Sequence, residues 1–99
     1  KRAGYLSVQP KITSLKSNDD GVVIKIGKIS KIDRFIVYRK GPGDEKWKKI
    51  GTAYSRTFKD YNVKEGKKYS YTVRSVFDST GYDIYSTRNE TGWSITYNP

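Results

Sequence analysis

Apolar residues recur at every second position in short runs along this chain, and a period of two is the signature of a half-buried strand. Val22, Ile24 and Ile26 alternate with Val23 and Lys25 behind the turn Asn18-Asp19-Asp20-Gly21. Short polar side chains bond locally in such a turn, and the glycine is free to take positive φ. Arg34–Lys40 puts Phe35 and Val37 on one face and Ile36, Tyr38 and Lys40 on the other. Gly41-Pro42-Gly43-Asp44 then breaks any strand. Further strands are expected over residues 12–16, 47–52, 55–60 (with Phe58 inward) and 69–77. A loop follows over 78–83, centred on Gly81. The last strand covers 84–97, with Trp93, Ile95 and Tyr97 in step, and Asn89–Gly92 either interrupts it or leaves it whole. Seven short strands with turn signals every eight to twelve residues predict an all-β sandwich of two antiparallel sheets. Residues 1–9 lack a period and read as a linker or edge segment, leaving 10–99 as the domain.

Residues 63–73, VKEGKKYSYTV, hold the most specific pattern. Val63, Gly66 and Tyr69 stand at successive offsets of three. Tyr69, Tyr71 and Val73 then share one strand face, with Ser70, Thr72 and Arg74 on the other. The order of apolar residue, turn glycine and tyrosine resembles the corner before strand F of fibronectin type III domains. That resemblance implies a ring in the core and a hydroxyl reaching back to backbone a few residues upstream. An ordinary turn followed by an ordinary core tyrosine fits the same spacing.

The resemblance extends over roughly residues 10–97. Its pieces are Gly21-Val22-Val23-Ile24-Lys25-Ile26, Phe35-Ile36-Val37-Tyr38-Arg39-Lys40, Trp47-Lys48-Lys49-Ile50-Gly51, Thr57-Phe58-Lys59-Asp60 and the corner itself. Together they are similar to the Lys/Tyr-rich fibronectin type III modules of Gram-positive secreted and surface proteins, and imply an immunoglobulin-like sandwich. One position departs. The family usually places a core tryptophan where this chain has Ile26, and Trp93 is expected to fill part of that volume. A half-exposed Trp93 near the sandwich end is the alternative.

Composition bounds the chemistry. Ninety-nine residues make one modest core, and the chain has no Cys, His or Met. Ser-His, Cys-His and His-metal arrangements are therefore excluded. The ten acidic residues lie mostly in turns, where local bonding and solvation account for them. Asn18-Asp19-Asp20 offers oxygen atoms to calcium, but that ion takes six to eight ligands, and a plain turn is favoured. Asn89-Glu90-Thr91 matches a glycosylation sequon. Gly41-Pro42-Gly43 lacks the Lys-Ser/Thr of a phosphate loop. No catalytic residue, cofactor or metal is expected, and no apolar run reaches the ~18 residues of a membrane helix. No signal peptide opens the sequence, which reads as cut from a longer chain.

Twenty Lys and Arg against ten acidic residues give a net charge of +10. Such a charge attracts polyanions without choosing among nucleic acid, acidic glycan and anionic cell wall. Lys46, Lys48 and Lys49, Lys64, Lys67 and Lys68, and Lys25, Lys28 and Lys31 spread it over several loops. A solubilising, aggregation-blocking surface is favoured over one anion groove. If Phe35 and Val37 point inward, Ile36, Tyr38, Arg74 and Val76 form an outer face, which Trp47 and Tyr82 or Tyr85 extend. Exposed aromatics there would stack on sugars or anchor a protein; Lys and Arg stems, or a neighbouring module, would cover them otherwise. A sugar site predicts that Tyr38→Ala or Trp47→Ala weakens binding and leaves thermal unfolding nearly unchanged.

The expected role is a non-catalytic, monomeric accessory module, a spacer or adhesive element, of an extracellular or cell-surface protein. Neighbouring domains and an anionic wall polymer or polysaccharide are its expected partners. A carbohydrate-binding accessory domain of a secreted glycan-active enzyme is the alternative. Nucleic acid is not expected, because no recognition motif is present.

Overall fold

A computed structural model describes residues 9–29, 32–79 and 82–99, without the side chains of Asp78, Ser79 and Tyr82. The described residues form eight strands: β1 (Ile12–Asn18), β2 (Gly21–Ile26), β3 (Arg34–Lys40), β4 (Lys48–Ala53), β5 (Thr57–Asp60), β6 (Lys68–Ser79), β7 (Tyr82–Tyr85) and β8 (Trp93–Thr96). One sheet has the order β1-β2-β5 and the other β4-β3-β6-β7, with β8 also pairing β6. All pairs are antiparallel. The chain is thus all-β, two sheets face to face. The linker expected over 1–9 falls almost wholly outside the described residues; Gln9 is exposed, and Pro10 is already buried.

Alternation decides which side chains meet between the sheets. Val22, Ile24 and Ile26 face inward from β2, Phe35 and Val37 from β3, and Tyr69, Tyr71 and Val73 from β6; none exceeds 6% exposure. Burying each such side chain contributes about 1.5–3 kcal/mol. Phe58 is only half-buried and packs against this cluster from β5. At one end the core turns polar. Asp60, 4% exposed, accepts hydrogen bonds from Arg39 Nη1 at 2.9 and 2.8 Å, the Tyr71 hydroxyl at 2.7 Å and the Asn62 amide at 3.1 Å. The two sheets are thereby pinned together, since Asp60 ends β5 while Arg39 and Tyr71 lie on β3 and β6. Burial, then the bond to Asp60, pushes the Tyr71 hydroxyl pKa well above its ordinary range.

The corner forms as its spacing implies. Gly66 holds φ +81°, a region that costs side-chain-bearing residues energy. Val63 packs on the core, Tyr69 is buried, and its hydroxyl accepts the Lys64 amide at 2.8 Å. The Asn18 side chain accepts the amides of Asp20 and Gly21 at 2.9 and 3.1 Å, so the first turn is closed by its own asparagine.

Two expectations about the last third need correction. The loop placed at 78–83 is largely ladder, with Asp78 opposite Asp83 and Ser79 opposite Tyr82. Buried Ile84 opposite Phe77 carries the pairing outward along β6. The final strand is interrupted, one of its two alternatives, and as two elements it brings the total among the described residues to eight rather than seven. β7 and β8 both pair β6, at opposite ends. Trp93 lies between its two anticipated positions: opposite Tyr71, half-buried, and packed against the core cluster. A recess of about 230 Å³, lined by Ile12 to Leu15, Trp93 and Ser94, remains beside it.

Candidate functional site: the outer face of the larger sheet

The residues between β7 and β8 cross the outer face of the sheet. Ser86 still follows the ladder, its amide donating to the Ser75 carbonyl at 3.0 Å. Beyond it, the Thr72 hydroxyl donates to the Asn89 carbonyl at 2.6 Å, and the Trp47 indole N–H to the Glu90 carbonyl at 3.3 Å. Asn89 Oδ1 accepts the amides of Thr91 and Gly92 at 3.0 and 2.8 Å, which turns the chain back into β8. Gly92 sits at φ +74°, and a β-carbon there would meet the Trp47 ring at 2.5 Å and the Tyr71 carbonyl oxygen at 2.8 Å. The indole and the bare glycine backbone thus close on each other.

This crossing changes the character of the face. Ile36, Tyr38 and Val76 do lie on it, but they are 9%, 8% and 0% exposed and form a second small cluster with Trp47. The expected open platform is, in that half, a covered one. The sequence hid this because period-two alternation reports the face a residue occupies, not what crosses it. A Trp47→Ala or Tyr38→Ala variant is accordingly a stability mutant as well as a surface change. Lys40 Nζ lies 4.6 Å from the centroid of the Trp47 ring, and the Arg88 guanidinium 4.5 Å from that of Tyr38. Arg88 also pairs with Glu90 at 3.0 Å. Sequence reasoning missed Arg88 and Asn89; the signal was the broken period over Asn89–Gly92, where Asn and Gly stand three apart as in a turn.

The other end of the face stays open. Arg74 is half-buried, its guanidinium 5.8 and 5.9 Å from the ring centroids of Tyr38 and Tyr85. Tyr85 is 44% exposed. Arg34 pairs with Asp83 at 2.9 Å; that hydrogen bond chiefly raises the guanidinium pKa. Of the anticipated face residues, Tyr82 has a side chain outside the described set. Tyr54, 79% exposed, was not anticipated. The lysines at 25, 28, 46, 48, 49, 64, 67 and 68 are all exposed, and Lys31 lies outside the described residues. Among the described residues no three His, Cys, Asp or Glu side chains cluster to hold a metal, and no helix is long and apolar enough to cross a membrane.

No protein-family model matches this sequence, and no curated protein matches it. Solved structures do. Pectate lyase PelI from Erwinia chrysanthemi, in complex with tetragalacturonic acid, is similar with a TM-score of 0.61 at 24% identity, over 83% of this chain and 28% of that one. Pectate lyase Pel3 from Pectobacterium carotovorum is similar with a TM-score of 0.64 at 21% identity, over 93% of this chain and 28% of that one. The chain therefore spans little more than a quarter of the length of either enzyme, and the likeness is one of fold.

Proposed function

We propose that this chain is a fibronectin type III-like, non-catalytic accessory module of a larger extracellular or cell-surface protein. It acts as a monomeric spacer or adhesive element between neighbouring domains, and its basic surface favours an anionic cell-wall polymer. The observation that carries this reading is a net charge of +10 on a sandwich whose exposed lysines are spread over β2, β4, the start of β6 and the segments between strands. The β1-β2-β5 and β4-β3-β6 pairing, with the Tyr69 hydroxyl on the Lys64 amide, supports the fibronectin type III-like assignment. The function is argued from charge and surface, because this type of fold serves many roles.

A second reading is favoured by the comparisons: a carbohydrate-binding accessory domain of a secreted glycan-active enzyme. Two pectate lyases resemble this chain over about a quarter of their own lengths, one of them holding an acidic oligosaccharide. A module of this size within such an enzyme would hold it on acidic polysaccharide.

A pull-down on Gram-positive cell walls and on insoluble polysaccharides, at low and high salt, separates the two. At about 1 M salt screening reaches only ~3 Å, so charge-driven retention is lost. Binding to walls at low salt alone is the result expected of the first reading. Binding to a polysaccharide that survives high salt is expected of the second. No retention in either condition overturns adhesion and leaves a spacer.

A further inference from the structure

Three large hydrophobic side chains are exposed among the described residues: Tyr54, Tyr61 and Tyr85. Two of them flank one arginine. Arg34 pairs across the sheet with Val76, and Val76 with Tyr85. Tyr54 stands one residue past Ala53, the partner of Phe35, and so continues the same row on the β4 side. The row runs across four strands, which at about 4.8 Å per strand separates the two tyrosines by roughly 14 Å. That is the reach of several linked rings, not of one.

Arg74 occupies the next row, opposite Ile36. Its guanidinium differs from the other two on this face. Arg34 holds the carboxylate of Asp83 and Arg88 that of Glu90. Arg74 has no ion pair among the described residues, and its Nε is buried with no hydrogen-bond partner. With Nε enclosed, an acceptor would meet this half-buried residue at its Nη groups. The Arg34–Asp83 pair shows, one row away, that a carboxylate fits among these rings. A planar guanidinium fork held beside aromatic rings suits a carboxylate better than a point charge does.

We propose that this open end of the outer face binds a stretch of carboxylated polysaccharide, a polyuronate, with Arg74 taking a carboxylate and Tyr54 and Tyr85 stacking on sugar rings. The proposal rests on the second of the two readings above and gives it a site. Single-stranded nucleic acid also offers rings and anions, and the test separates it.

The experiment measures equilibrium binding of the whole chain to soluble polygalacturonate, to its fully methyl-esterified form and to oligo-dT, at about 0.15 M salt. Arg74→Gln, Tyr54→Ala and Lys67→Gln are compared with the parent chain. Arg74→Gln and Lys67→Gln remove the same charge, and Lys67 is an exposed corner residue away from this face. The expected result is binding to polygalacturonate that falls about tenfold on esterification and in Arg74→Gln, the equivalent of ~1.4 kcal/mol. Tyr54→Ala falls severalfold, and its 79% exposed ring makes folding no concern. Lys67→Gln changes by less than about twofold. Equal losses in Arg74→Gln and Lys67→Gln would overturn the site and leave diffuse charge, as the first reading has it. Unchanged binding by Tyr54→Ala, or tighter binding to oligo-dT, also overturns it. No binding by the parent chain sinks the site, while the second reading stands or falls with the polysaccharide pull-down.

Discussion

The two faces of the larger sheet reach nearly the same burial by different means. On the inner face Val37, Tyr71 and Val73 are fully buried against side chains of the opposite sheet. On the outer face Val76 is equally buried, and Ile36 and Tyr38 almost so. There the cover is one indole, the Arg88 guanidinium and the backbone of residues 86–92, with Arg74 at the boundary of the open end. The sheet that covers the inner face has its own strands held by ladder bonds, whereas the segment crossing the outer face is held by a few side-chain bonds. Cover of the second kind opens locally at lower free energy than the core does. A face closed in this way can keep its aromatic rings dry in one half and present them in the other.

The strongest test of the inner face is its polar end. Asp60→Ala leaves the Tyr71 hydroxyl and the Arg39 guanidinium without their shared acceptor. Removing one member of a buried pair costs about 3–5 kcal/mol. At roughly 4–8 °C per kcal/mol for a domain of this size, the midpoint of thermal unfolding should fall by at least about 12 °C. A loss under about 1 kcal/mol would mean that the network is incidental and that packing alone holds this end.

The outer face should yield less, and more locally. Trp47→Ala removes the ring seated on Gly92, the cation above it and the bond to the Glu90 carbonyl. Because the ring is only half-buried, about 2 kcal/mol is expected, below the ~3–5 of a fully buried aromatic. Amide exchange should accelerate in residues 86–92 more than in β2 or β6. Uniform acceleration would show that the two faces are one cooperative unit and would remove the contrast.

A smaller effect separates the faces by pH. The Tyr71 hydroxyl, buried and bonded to Asp60, has its pKa raised, so the folded chain keeps a proton that the unfolded chain releases near pH 10. Stability tied to this group is therefore complete below about pH 10 and declines as pH rises beyond it. Tyr71→Phe should cost about 1.5 kcal/mol at neutral pH, the worth of a hydrogen bond to a charged acceptor. The gap between parent and variant should then narrow in urea titrations above pH 10. A constant gap would show that the hydroxyl does not carry the pH effect.

Much of this was legible in the residues. Alternation placed Phe35 and Val37 inward and Ile36 and Tyr38 outward, and the Val63, Gly66 and Tyr69 spacing gave the corner and its hydroxyl bond. Turn residues marked the ends of β2 and β3 closely. What was not legible depends on contacts between distant segments. Ile36, Tyr38 and Val76 were expected open because nothing local says that residues 86–92 return across them. The buried Asp60 looked like one more turn carboxylate, since its partners Arg39 and Tyr71 are set by sheet packing and not by sequence distance. Tyr54 carried no signal of its own, lying past a strand end where periodicity stops.

Tyr54 offers the smallest stability effect and the sharpest use of the contrast. Its ring is 79% exposed, and no hydrogen bond or ring contact ties it to the fold among the described residues. Truncating such a side chain shifts stability by no more than about 0.5 kcal/mol in either direction. Thermal melts of Tyr54→Ala should therefore overlay those of the parent chain, while Trp47→Ala melts earlier. A ring this exposed contributes little to folding, so any loss of polyuronate binding in Tyr54→Ala reports on the surface alone. Should Tyr54→Ala instead lower stability by more than about 1 kcal/mol, the open end of the outer face is also part of its cover. The division between a closed half and a presenting half would then fail.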